Sequence, residues 1–193
     1  MRFRILFPAL LSSLLYIPTT NVNAAEELPI PEDQFVYCST CHGVQLMGNE
    51  ILQAPRLSGM DAWYVEQQLQ SFKKGWRGKH ESDLIGMEMR PMAEALSDEQ
   101  ISEVAGYVSL TRSAPPVTTL TGNIEEGRAL YESTCSACHG LSGEGNEVLG
   151  SPALSATNDW YLLKQLQGFI DGSRGEHPED IFGLQMRVSV QLL

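Results

Sequence analysis

The six residues Cys38-Ser39-Thr40-Cys41-His42-Gly43 return as Cys135-Ser136-Ala137-Cys138-His139-Gly140, 97 positions further on. From that anchor the register holds without a gap to the last residue, where Leu96 falls over Leu193. About 27 of the 59 paired positions are identical, against roughly one in sixteen expected by chance from an ordinary composition. Gly48-Asn49-Glu50 recurs as Gly145-Asn146-Glu147, Pro55 as Pro152, Trp63-Tyr64 as Trp160-Tyr161, and Gln68-Leu69-Gln70 as Gln165-Leu166-Gln167. Gly75, Arg77-Gly78, His80, Asp83, Gly86 and Met89-Arg90 also find their twins. The chain is a tandem duplication.

Around this repeat the 193 residues divide into four parts. Residues 1–24 begin with Arg2 and Arg4, continue through an apolar run from Ile5 to Ile17 and end in Val22-Asn23-Ala24. This is the layout of a cleaved secretory signal, and the run is too short for a spanning helix of about 20 residues. The first unit covers 25–112 and the second 123–193. Between them, 113–122 holds Ala114-Pro115-Pro116 and a threonine-rich run that interrupts helical patterning. Each unit is small for a self-supporting apolar core, so something besides side-chain packing should help hold it.

The expected fold class is all-α. A short helix is predicted over Pro31–Thr40, leading into the first cysteine pair. Ala62–Lys74 and Trp160–Ile170 carry apolar residues at helical spacing. Ser97-Asp98-Glu99-Gln100 caps a helix running to about Leu110, and Asn123 with Glu126 starts another. Strand-like alternation is absent, and the connections read as long glycine-rich loops wrapped around a bulky object.

Composition narrows the function. With 24 acidic against 13 basic residues and a formal charge of −11, the chain is a poor match for phosphate neutralisation, so a nucleic-acid partner is not expected. Its four cysteines lie in two short pairs, which does not suit a disulfide-stapled scaffold. Cys-x-x-Cys-His, twice in register in an exported chain, places two thiols to meet the vinyl groups of one porphyrin and a histidine beneath its iron. A thioredoxin-like pair lacks its βαβ setting, a zinc site lacks two further ligands per centre, and local disulfides leave both histidines unexplained. Two covalently bound haem c groups are therefore expected, on Cys38, Cys41, Cys135 and Cys138, with His42 and His139 as proximal ligands.

The sixth iron position separates a sealed electron carrier from an open site that binds small molecules. Met87, Met89 and Met92 are clustered, but Met87 aligns with Leu184 and Met92 with Ser189; only Met89 has a methionine twin, Met186. His80 and His177 also repeat and form the competing pair; alternatively they contact a propionate or a solvated loop. Trp63, Tyr64, Trp160 and Tyr161 are candidates for the haem edge or for ordinary core. Arg77, Arg90, Arg174 and Arg187 suit propionates or exposed surface.

The paired Cys-x-x-Cys-His units, the Pro-x-Leu element after each, the Tyr-x-x-x-Gln-Leu helices and a methionine seven residues before Leu96-Ser97-Asp98 resemble the two-haem class I cytochromes c of the cytochrome c4 type. The likeness runs from about Pro31 to the end. It implies two tandem class I cytochrome c domains, with Met89 and, by repeat, Met186 as axial ligands. It also implies that the carbonyls of Pro55 and Pro152 orient the proximal imidazoles. The function implied is a periplasmic electron carrier rather than an enzyme, feeding a respiratory terminal oxidase. The expected partners are a membrane electron donor and that oxidase, docked through a basic patch, with peripheral membrane contact. One departure stands out: the first unit continues into a closing helix after Leu96, whereas the second reaches Leu193 where its own should begin. The second domain is thus expected to be short at its C-terminal end. Two other readings are a cytochrome subunit of a periplasmic dehydrogenase or oxidase, and a haem enzyme or ligand sensor with one open iron.

Overall fold

The computed structural model describes residues 35–193; the signal segment and residues 31–34 of the first expected helix lie outside the described residues. Among the described residues there are helices and no strands, and two isolated bridges, Asn49 with Ala54 and Asn146 with Ser151, are the nearest approach to sheet.

Four helices build the first half: α1 (Val36–His42), α2 (Ala62–Lys73), α3 (Leu84–Glu94) and α4 (Asp98–Leu110). The first lies further along the chain than the sequence suggested, so that both cysteines and His42 sit on it. α4 starts from a full capping box: Ser97 Oγ accepts from Gln100 N–H, and the Gln100 side chain accepts from Ser97 N–H at 2.9 Å. Ile101, Val104, Ala105 and Val108, at i, i+3, i+4 and i+7, form its buried stripe. They pack with Phe35, Leu46, Val65, Leu69, Phe72 and Ala93 in one core.

The second half repeats the pattern with α5 (Ile124–Leu130), α6 (Ser136–His139), α7 (Asp159–Asp171) and α8 (Ile181–Val190). Asn123 Oδ1 accepts from Glu126 N–H at 3.2 Å, as its sequence predicts. A wide turn over Tyr131–Cys135 joins α5 to α6.

α3 and α8 are helices that the sequence pattern did not lead us to expect. Gly86 and Pro91 inside α3 lower its intrinsic preference, but tertiary contacts override that. Asp83 Oδ1 accepts from Gly86 N–H at 3.0 Å, and a side chain at Gly86 would collide with the same carboxylate. Gly78, at φ +67°, lies so close to the Gly86 carbonyl that only glycine fits. Gly175 and Gly183 with Asp180 repeat the device at α8.

The segment between the halves is fastened at both ends. The Arg56 guanidinium donates to Ser113 Oγ and to the Ala114 carbonyl, the latter at 2.5 Å. Asp159 accepts from Thr119 N–H at 2.7 Å and from Leu120 N–H at 2.9 Å. These backbone donors hold the Asp159 carboxyl well below its ordinary value, at about 2.

Candidate haem sites

Each site grows from a short loop. Gly43, at φ +78°, ends α1 and returns its N–H to Ser39 O at 2.9 Å, and Gly48 N–H then bonds the His42 carbonyl at 2.8 Å. A Cβ at Gly48 would stand 2.7 Å from Arg56 N, so glycine permits the segment after Pro55 to pass against the turn. The Asn49–Ala54 bridge closes the same loop. Its product is one contact: His42 Nδ1 lies 2.7 Å from the Pro55 carbonyl. In the second half Gly140, Gly145 and the Asn146–Ser151 bridge do the same, leaving His139 Nδ1 at 2.9 Å from the Pro152 carbonyl. A carbonyl can only accept, so Nδ1 carries the proton and Nε2 is free to bind a metal. Burial pulls the pKa of the His42 imidazole below its ordinary value, favouring the neutral form against the opposing pull of the Pro55 carbonyl.

The predicted residues of the second half share one cavity of about 340 Å³: Cys135, Cys138, His139 and Met186 all line it. Leu154, Phe169 and Arg174 add apolar wall and one cation. In the first half, Cys38 and Met89 pack against the core that holds Phe35 and Ala93, while Cys41 is exposed. Burial raises the Cys38 and Cys135 thiols above their ordinary values. The four cysteines form no disulfide, and no cluster of three protein metal ligands exists among the described residues.

The competing histidines have other partners. His80 Nδ1 contacts Ser82 Oγ at 2.8 Å. His177 stacks on Trp76 with ring centroids 5.6 Å apart and its Nδ1 accepts from Glu179 N–H. Met87 and Met92 are exposed. The four arginines part company. Arg90 forms an exposed pair with Glu94 at 2.8 Å, and Arg187 lies against Gly172. Arg77 and Arg174, by contrast, are buried with no carboxylate in ion-pair contact among the described residues, and each keeps an unsatisfied Nε. Trp63 and Tyr64 pack edge to face, as do Trp160 and Tyr161, and both tyrosines line the second cavity.

Three contacts of the site and its boundary had not been expected from the sequence. Gln68 and Gln165 accept from the buried arginines across the halves; their repetition was visible, their meeting was not. The Trp76–His177 stack and the Arg56 anchor fall where the repeats differ, since Trp76 pairs with Ser173 and Arg56 with Ala153. Those mismatches were the available signal.

Buried imidazoles held by proline carbonyls, a cavity that gathers both cysteines with a thioether, and buried guanidiniums with unsatisfied Nε donors all fit a haem with its iron and carboxylates. The Cytochrome c family model matches residues 34–111 and 124–184. A thiosulfate dehydrogenase electron acceptor of Stutzerimonas stutzeri (strain A1501) is 36% identical over 158 residues, 76% of this chain and 68% of its own. Cytochrome c4 of Azotobacter vinelandii is 31% identical over 86% of this chain and 83% of its own. The crystal structure of reduced recombinant cytochrome c4 from Pseudomonas stutzeri superposes with a TM-score of 0.66 at 27% identity, covering 83% of this chain and 87% of that one. With two such units in tandem, each carrying covalent haem c, the chain belongs to the cytochrome c family as a di-haem electron carrier of the cytochrome c4 type.

Proposed function

We propose that the protein is a periplasmic shuttle for single electrons, with both irons sealed between histidine and methionine. In this reading His42 and Met89 serve the domain of residues 25–112, and His139 and Met186 that of 123–193, with 113–122 as linker. Cys38, Cys41, Cys135 and Cys138 form the thioethers. The observation that carries it is the shared cavity of His139 and Met186, with the repeat extending it to the first half.

A bound haem supplies the one-electron ferric–ferrous couple. The protein does the rest. Pro55 and Pro152 hold the imidazole tautomer and orientation and raise its basicity as a ligand. A thioether favours the reduced state relative to a second imidazole and so raises the potential. Leu154 and Phe169 give the second ligand pair an apolar wall, and Met89 packs against the core of the first, which limits water at the iron. The acidic surface favours partners with a basic face and speeds their encounter.

The route runs from a membrane donor toward a terminal oxidase, with residues 1–24 directing export. A second reading, favoured by the relative that accepts electrons from thiosulfate dehydrogenase, has a periplasmic sulfur-oxidising dehydrogenase as donor. Stopped-flow reduction separates them. Fast, salt-sensitive reduction by a quinol-oxidising membrane complex supports the first. Fast reduction only by a thiosulfate dehydrogenase with its substrate supports the second. Rapid carbon monoxide binding at both ferrous haems contradicts the sealed-site reading altogether.

A further inference from the structure

Two guanidinium groups meet where the halves touch, and among the described residues no carboxylate forms an ion pair with either, although the Asp83 charge acts on Arg77 from further off. Arg77 is 6% and Arg174 8% exposed; the ion pairs among the described residues, Lys73–Asp98 and Arg90–Glu94, lie elsewhere. Each arginine donates through Nη1 to the glutamine of its own half, Arg77 to Gln68 and Arg174 to Gln165, both at 2.7 Å. Each then crosses through Nη2: Arg77 reaches Gln165 Oε1 at 3.2 Å, and Arg174 reaches Gln68 Oε1 at 3.1 Å. Every glutamine oxygen thus receives one N–H from each half, and the four side chains close into a ring. Phe72 and Phe169 lie under the two cations at 4.3 Å.

Such a ring is unfavourable alone, because buried cations need counter-charge and these two repel. Burial, and then Arg77, lower the pKa of Arg174, although an arginine stays charged at any working pH. The two Nε donors remain without partners, and a haem brings the carboxylates that a guanidinium fork matches. The ring is also part of the second site. The cavity of His139 and Met186 is walled by Gln165 and Arg174 and, from the first half, by Tyr64 and Gln68.

Resting on the His/Met reading above, we propose that Arg77 and Gln68 tune the haem of the second half as well as their own, so that the two midpoints are interdependent. A fixed buried cation favours the state with one more electron. Arg77 stands directly behind the wall of the second cavity, donating to Gln165 at 3.2 Å and to Tyr161 at 3.5 Å, both of which line it. Gln68 is a positioning residue: it holds Arg174 from across the boundary.

The test is a redox titration of the full di-haem protein carrying Arg77→Gln, with the two centres resolved by their haem-methyl resonances. Both midpoints should fall. The second should drop by about a tenfold change in its reduced-to-oxidised ratio at fixed potential, near 59 mV. Arg77→Lys, which keeps the charge, should recover much of the shift. A change confined to the first centre overturns the proposal. If Arg77→Gln fails to fold or load, Gln68→Leu decides instead: a displaced second midpoint supports the ring, and an unmoved one overturns it. Absence of the methionine-to-iron near-infrared band in the unaltered protein would sink the ligation reading instead, and is recorded separately from the midpoints, so the two failures are told apart.

Discussion

In the first half α4 lays Ile101, Val104, Ala105 and Val108 into the core and leaves none of them more than 4% exposed. Residues 123–193 contain no counterpart of that helix, and their buried apolar side chains are Trp160, Phe169 and Val190. Yet the histidine-to-proline contact is nearly the same in both, 2.7 and 2.9 Å. Ligand geometry therefore belongs to the local loop, with its glycines and its asparagine bridge. Burial of apolar side chains, by contrast, differs between the two halves among the described residues.

This contrast can be broken by substitution. Ile101→Ala should cost the first half about 2–5 kcal/mol, read as an earlier denaturant transition of its haem signals, while those of the second half hold. If both halves melt together, they are one cooperative unit. Trp76→Ala removes the ring stack with His177, worth about 1 kcal/mol beyond its buried area. Faster hydrogen exchange at the boundary with α2 and α4 unchanged would show that the stack joins the halves and supports neither core. Ser97→Ala deletes the cap of α4 at about 1 kcal/mol, and should loosen the first half alone.

The smallest effect concerns pH. The Asp159 carboxyl is held at about 2, below an ordinary aspartate near 4. Its grip on Thr119 and Leu120 is thus complete above the ordinary value and lost as pH falls toward about 2. Proteolysis between residues 112 and 122 should rise over that window, and Asp159→Asn should show the raised cleavage already at neutral pH.

Much of this was legible in sequence because it is local. Helix α4 carries its capping box and stripe within 14 residues, Ser97 to Leu110, and the cysteine–histidine motifs are contiguous. Helix α3 was not legible, because Gly86 and Pro91 argue against it locally while the Gly78 crossing and the Asp83 cap enforce it. The ring of Arg77, Gln68, Arg174 and Gln165 was invisible for a different reason. Its members are ordinary residues in each repeat, and only the packing of one repeat on the other brings them together.

The near-infrared methionine-to-iron band of the oxidised protein reads the sixth ligand of each iron. The account predicts full two-centre intensity in the unaltered chain, half in Met89→Ala or Met186→Ala, and none in the double variant. Intensity unchanged by either substitution would contradict it.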